Sequence, residues 1–277
     1  MTTHAAVRTP GTVRVRARAA WRPAVVVLVA VGLFFLYLRQ SGSVGVSSDG
    51  ASVALQARAV LHGNLLLHNW RVADVSFYTT ELPQYALIEL VLGLGAWVVH
   101  VGAAMTYTLL VLLAAWLAKG RIQGRPGLAR ALLTAGIMVA PQLSATQIVL
   151  LSPDHTGTAV PVLVTWLVID RVTPDRWRAA RWVVPLVVFV LLTWTMIADS
   201  IVLITCIAPL VLVVLIRSCP GLIRRGERPA SRWYELSLAG AAAVAGGLGS
   251  AAPRILSALG GYRQAPVESD TTVAALQ

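Results

Sequence analysis

Long apolar runs alternate with short polar segments along this chain: Trp21–Leu38, Tyr85–Ala118, Leu128–Leu143, Pro153–Ile169, Trp182–Ile197, Ser200–Ile216 and Tyr234–Ala252. A membrane-spanning helix takes about 20 mostly apolar residues, within a range of about 17–25. Most of these runs have that length. None has the short alternating pattern of a transmembrane barrel strand. The pattern predicts an all-α fold, a polytopic transmembrane helical bundle.

Tyr85–Ala118 needs division. As a single helix its roughly 34 residues would be about 51 Å long, against a hydrocarbon core of about 30 Å. Glu89, the Gly93/Gly95 pair and the segment His100–Gly102 offer the breaks. Charge decides how they are used, because Lys and Arg concentrate in cytoplasmic segments. Lys119, Arg121, Arg125 and Arg130 follow the run, so only one full crossing fits. Gln84–Val99 is then an interfacial helix in the first outer loop, and Ala103–Ala118 is the second span.

The same parity carries through the chain and gives about seven spans. Residues 1–20, with Arg8, Arg14, Arg16 and Arg18, form a basic, disordered cytoplasmic arm. Residues 21–252 form the membrane module, with an outer loop at 39–83 and the interfacial helix at 84–99. Residues 253–277 are an outer tail. No small-x-small cleavage site follows Trp21–Leu38, which reads as an uncleaved anchor. Of the 23 Lys and Arg residues, all but Arg39, Arg58, Arg71, Arg254 and Arg263 fall inside, while Asp49, Asp74, Glu81, Asp154 and Asp199 fall outside. The predicted protein is integral to the plasma membrane of the cell envelope, amino terminus cytoplasmic. Ala239–Ala252 is nearly all Gly, Ala and Ser, a composition that lets helix backbones approach closely. It suits packing within the bundle or against a membrane protein partner.

Composition agrees. The chain is 57% hydrophobic and 13% charged, with a mean hydropathy of +0.72; soluble domains carry about 25% charged residues. A net charge of +11 would suit a nucleic acid, but the basic residues are spread in clusters between apolar runs, so no nucleic-acid partner is expected. Cys206 lies in a span and Cys219 near a cytoplasmic end, which suggests neither a disulfide nor a metal site.

The chemistry falls on two short outer segments. Asp49 precedes a segment, Ala51–Leu61, with helical apolar spacing. It suits a cap of that helix and also a general base toward an acceptor hydroxyl, and the two readings are compatible. Asp154 and His155 follow Ser152-Pro153 at the opening of a span, where Ser and Pro suit the cap and first helical position. A helix N-terminus there is an anion site, and Asp with His can hold a divalent metal against a phosphate. Asp199 sits in a tight turn between spans, as turn chemistry favours, and is also a candidate second acidic residue by its place near the membrane. Arg58 and Arg71 are outer cations suited to a phosphate or to solvent. The other histidines lack ligand spacing, and nucleophile elbows, phosphate loops and zinc motifs are absent.

On these residues the chain resembles the membrane glycosyltransferases of the GT-C superfamily. The resemblance lies in Ser48-Asp49-Gly50 after the first span, the helix from Gln56 to Leu66, Leu82-Pro83-Gln84-Tyr85 opening the interfacial helix, and Pro153-Asp154-His155-Thr156-Gly157-Thr158. It covers most of Trp21–Ala252. It implies transfer of a sugar from a polyprenyl-phosphate donor to an acceptor on the outer face, with membrane lipid as the medium. Asp49 would be the catalytic base, and Asp154 with His155 would lie near the donor phosphate or a divalent metal, Mg or Mn. Two features depart from the family. Asp49 is followed by Gly50 where a second acidic residue is common, and the further spans usual in the family do not follow the seven-span module. The alternative is a non-catalytic membrane protein, a truncated relative or a lipid-binding or assembly subunit.

Overall fold

The computed structural model describes residues 11–141, 146, 149–150, 155–174, 177–218 and 232–265. The described chain is mostly helical: α1 (Gly11–Ser41), α2 (Ser48–Leu61), α3 (Glu81–Leu92), α4 (Ala96–Lys119), α5 (Arg125–Met138), α6 (Thr156–Arg171) and α7 (Ala180–Ala198). A π-helical turn, Leu203–Ile207, then leads into α8 (Ala208–Ser218), and α9 (Arg232–Ala258) follows. Two short strands, β1 (Arg71–Val72) and β2 (Arg263–Gln264), pair in parallel.

Among the described residues four helical segments are long and apolar enough to cross a membrane: Pro23–Ser41, Ala96–Lys119, Ala180–Ala198 and Arg232–Ala258. They fit a membrane protein. Their exposed apolar side chains, such as Leu28, Phe35, Leu186 and Ile204 in the shorter helix beside them, would be a liability in water and suit contact with lipid.

Boundaries differ from the sequence reading at three places, each with a local cause. The arm at 1–20 is helical from Gly11 onward, because Arg and Ala are good helix formers and nothing there stops the helix. The interfacial helix ends at Leu92, where Gly93 adopts a φ of 73° and donates its N–H to Glu89 O at 2.8 Å. With ψ at 172° the chain turns out of the helix there, a positive-φ conformation that glycine adopts without strain. α4 then begins at Ala96 and runs unbroken through His100–Gly102. Gly102 is a contact point instead. A Cβ there would stand 2.5 Å from the Tyr85 ring. Third, α5 stops at Met138, short of the predicted Leu143, beside the middle of α4. Its carbonyls at this end lack helical partners, and bare carbonyls are costly away from water. Tyr107 Oη donates to Met138 O at 2.8 Å and Tyr37 Oη to Val139 O at 3.1 Å.

The two ends of the bundle differ in character. At one end the basic clusters meet: Arg121 lies against Asp170, Arg171 donates to Trp116 O, and Arg217 pairs with Glu235 at 3.1 Å. At the other lie the long loop after α1, the N-terminus of α6 and the turn after α7. There α2, α3, the start of α4 and the returning tail share an apolar core that includes Val53, Leu67, Tyr85, Val98 and Tyr262. The last helix packs on α7, with Gly249 so close that a Cβ would lie 2.3 Å from Met196 Cβ. Small residues serve close backbone approach, here between helices of one chain.

Candidate functional site

The long loop is pinned to the end of α7. A helix C-terminus leaves carbonyls without partners, and here the loop supplies donors. Ser76 and Phe77 N–H donate to Ala198 O at 3.1 and 3.3 Å, Ser76 Oγ to Ile197 O at 3.0 Å, and Thr79 Oγ1 to Trp194 O at 2.5 Å. This docking delivers Glu81, at the start of α3, to the N-terminus of α6.

There Glu81 does for α6 what a capping residue would do. Its Oε1 accepts the Gly157 N–H at 3.0 Å, and Thr80 donates to Oε2. A carboxylate at a helix N-terminus satisfies a free donor and meets the positive end of the helix dipole. Gly157 is required for the approach, because a Cβ there would fall 2.2 Å from Glu81 Oε1. Glu81 is almost wholly buried. Its pKa stands raised from 4.5 to about 7: burial is the main cause, the bonds from Thr80, its own backbone and Gly157 work against it, and nearby Asp199 adds a smaller rise.

Asp199 closes the cluster. One oxygen, Oδ1, accepts the Ile201 N–H at 3.0 Å, the local bond that makes Asp a turn residue. The other, Oδ2, lies 2.5 Å from His155 Nδ1 and accepts from Thr158 Oγ1 at 3.0 Å. His155 is in the left-handed region at φ 58°, which brings its ring back over the turn after α7. Asp199 is buried, while the His155 side chain is 40% exposed. A carboxylate on Nδ1 fixes the orientation of an imidazole.

Beside this cluster a cavity of about 370 Å³ opens between α4, α6 and α7. Near the cluster its wall is polar, with Thr80, Gln84 and Gly157; deeper it is apolar, with Leu109, Val160 and Val190. Gln84 is held in place by Thr106 Oγ1, which donates to its Oε1 at 3.0 Å.

The sequence candidates thus separate. His155 and Asp199 meet. Asp154 lies outside the described residues. Asp49 stands exposed in the first turn of α2, whose cap is Ser47, accepting from Gly50 N at 3.1 Å. Arg58 reaches the buried Glu89 at 3.7 Å, and Arg71 lies exposed on β1, against the tail. The α6 N-terminus, read from the sequence as an anion site for a phosphate, receives Glu81 of the chain itself. Glu81, Gly157 and Thr158 complete the cluster, and no spacing links them: the contacts join positions far apart in the chain.

Among the described residues no group of three His, Cys, Asp or Glu side chains is arranged to hold a metal ion. His155 Nδ1 and both Asp199 oxygens are engaged within the chain, so His155 with Asp199 does not fit a Mg or Mn centre; of the expected pair, Asp154 with His155, the first lies outside the described residues. No family model matches the chain, and neither a curated protein nor a solved structure matches it.

Proposed function

We propose that this chain is a glycosyltransferase-like integral membrane protein that receives a polyprenyl-phosphate sugar at the loop end of its bundle. The observation that carries the reading is the cavity between α4, α6 and α7, apolar in its depth and polar at Thr80 and Gly157, which bond the buried Glu81 carboxylate whose pKa is about 7. A lipid-linked sugar has the same two parts, a long apolar chain and a polar head.

In this reading seven helical segments cross the plasma membrane, α1 and α4 to α9, with the π-helical turn extending α8. The amino terminus is cytoplasmic. The gathering of basic residues at one end supports that direction, and α3, with Leu87, Leu90 and Val91 exposed, lies in the outer interface. In the transfer the acceptor oxygen bonds to the sugar's anomeric carbon as the bond to the phosphate oxygen breaks. The acceptor's proton passes to a carboxylate, and the phosphate leaves with the bonding electrons. The resemblance assigns the proton to Asp49. Glu81 is the other candidate, since a pKa of about 7 suits a general base at neutral pH.

The test is sugar transfer by proteoliposomes supplied with a labelled polyprenyl-phosphate sugar. Asp49→Asn abolishes transfer if Asp49 is the base, and Glu81→Gln abolishes it if Glu81 is. Full turnover by both variants would remove both carboxylates from the mechanism, and no turnover by the wild type would remove this chemistry from the chain. A second reading, lipid-phosphate binding without turnover, is favoured by the engagement of the Glu81 and Asp199 oxygens within the chain. It predicts saturable binding of the donor with no product.

A further inference from the structure

A second cavity lies where the tail returns onto the loop, and it is built around positive charge. After α9 the chain reverses at Gly260, with φ 82°, and Gly261, where a Cβ would stand 2.8 Å from Leu256 O and 2.9 Å from Leu66 O. The returning segment is then fastened by its main chain. Tyr262 N–H donates to Leu66 O at 2.9 Å, Arg263 N–H to Trp70 O at 3.0 Å and Ala265 N–H to Val72 O at 2.9 Å. Tyr262 is fully buried, with its ring 5.2 Å from that of Tyr78. His68 Nδ1 lies 2.6 Å from Gly260 O.

This folding sets Arg71 in register with Arg263 across the parallel pair. Neighbouring strands run about 4.8 Å apart, and side chains in register lie on one face of the pair. Both arginines are exposed and both line a cavity of about 690 Å³, together with Asn69, Trp70, Ser257 and Gln264. Among the described residues neither has an ion-pair partner. Like charges side by side on a sheet repel. The backbone bonds that make the strands do not call for arginine, so the pair has a cost that a bound anion would offset.

We propose that Arg71 and Arg263 form a binding site for a phosphate-bearing sugar. Guanidinium forks match phosphate oxygens two at a time, Asn69, Ser257 and Gln264 supply hydrogen bonds for hydroxyls, and the indole of Trp70 offers a flat apolar face to a sugar ring. The site shares no lining residue with the cavity between α4, α6 and α7. It stands whether or not the chain transfers sugar. A free sugar phosphate and a phosphate-bearing lipid headgroup present the same chemistry.

The experiment titrates glucose 6-phosphate into the full chain in nanodiscs of neutral lipid, by calorimetry, with glucose as the uncharged control. Saturable binding of the phosphate and none of glucose is expected. Arg71→Gln or Arg263→Gln each weakens it by about tenfold or more, and Arg263→Lys recovers part of the loss. Melting curves confirm that the variants fold, as strands fastened by main-chain bonds should. In nanodiscs containing phosphatidylglycerol, loss of sugar-phosphate binding by the wild type would identify a lipid headgroup as the native source for the same two arginines. Absence of binding, or equal binding by the double variant, would overturn the site. So would binding that emerges only after Glu268→Gln with Asp270→Asn, because the chain's own acidic tail would then be the occupant.

Discussion

Two charged regions share the loop end of this bundle and are built in opposite ways. At Glu81, His155 and Asp199 negative charge is enclosed. Each carboxylate oxygen meets a donor, one buried group has its pKa moved to about 7, and a glycine is kept free of a side chain so that Glu81 can reach the helix terminus. At Arg71 and Arg263 positive charge is displayed, exposed and without a described counter-ion. Enclosure makes charge a matter of stability, since an unpaired buried charge is expensive. Display makes it a matter of ligands. The expected consequences therefore differ in kind: changes at the first region alter folding and pH response, and changes at the second alter binding.

The largest effect is on pH. Glu81 is raised from 4.5 to about 7, so the folded protein holds a proton there that the unfolded chain releases. Its contribution is fully present below pH 4.5 and is lost as pH rises through 7, by up to about 3 kcal/mol for a shift of this size. Thermal unfolding in detergent at several pH values measures it, and Glu81→Gln removes that part of the slope. Next comes Asp199→Ala, which leaves the Thr158 hydroxyl and Ile201 N–H without their acceptor and frees His155. A loss of about 2–3 kcal/mol follows, below the full value for a buried pair because His155 is partly exposed. Gly157→Ala is smaller, at about 1–2 kcal/mol, since Glu81 must withdraw from the added methyl; the same melting assay reads it, and combination with Glu81→Ala should restore part of the loss. The smallest is Arg263→Gln, which by relieving repulsion with Arg71 changes stability by less than about 0.5 kcal/mol. A destabilisation of several times that size would mean that the arginine pair is structural and would erase the contrast.

Much of the fold was legible because hydropathy is a local property. The apolar runs could be counted as helices, Arg121, Arg171 and Arg217 do gather at one end, and the glycines of the last helix do allow close packing, at Gly249 on Met196. Glycine also misled. Gly93 and Gly102 are alike in sequence, yet one stops a helix and the other makes room for the Tyr85 ring. Only the partner decides, and the partner is remote. The site divides the same way. Asp199 was readable as a turn residue from its neighbours, and its bond to Ile201 N–H agrees. Its meeting with His155 was not, because it depends on how two helices end side by side. Glu81 gave least signal of all: one acidic residue in a polar loop, whose importance comes from the docking of Ser76 and Thr79 on α7.

The most direct test of the account is whether a polyprenyl chain enters the cavity between α4, α6 and α7. A polyprenyl phosphate with a photoreactive group in its tail, added to the protein in nanodiscs and activated, would be mapped by peptide mass spectrometry. Labels concentrated on α4, α6 and α7 at the level of Leu109, Val160 and Val190 are expected, and their loss when Val160→Trp fills the space. Labels spread evenly over exposed apolar positions such as Leu28, Leu87 and Leu186, unchanged by Val160→Trp, would contradict it.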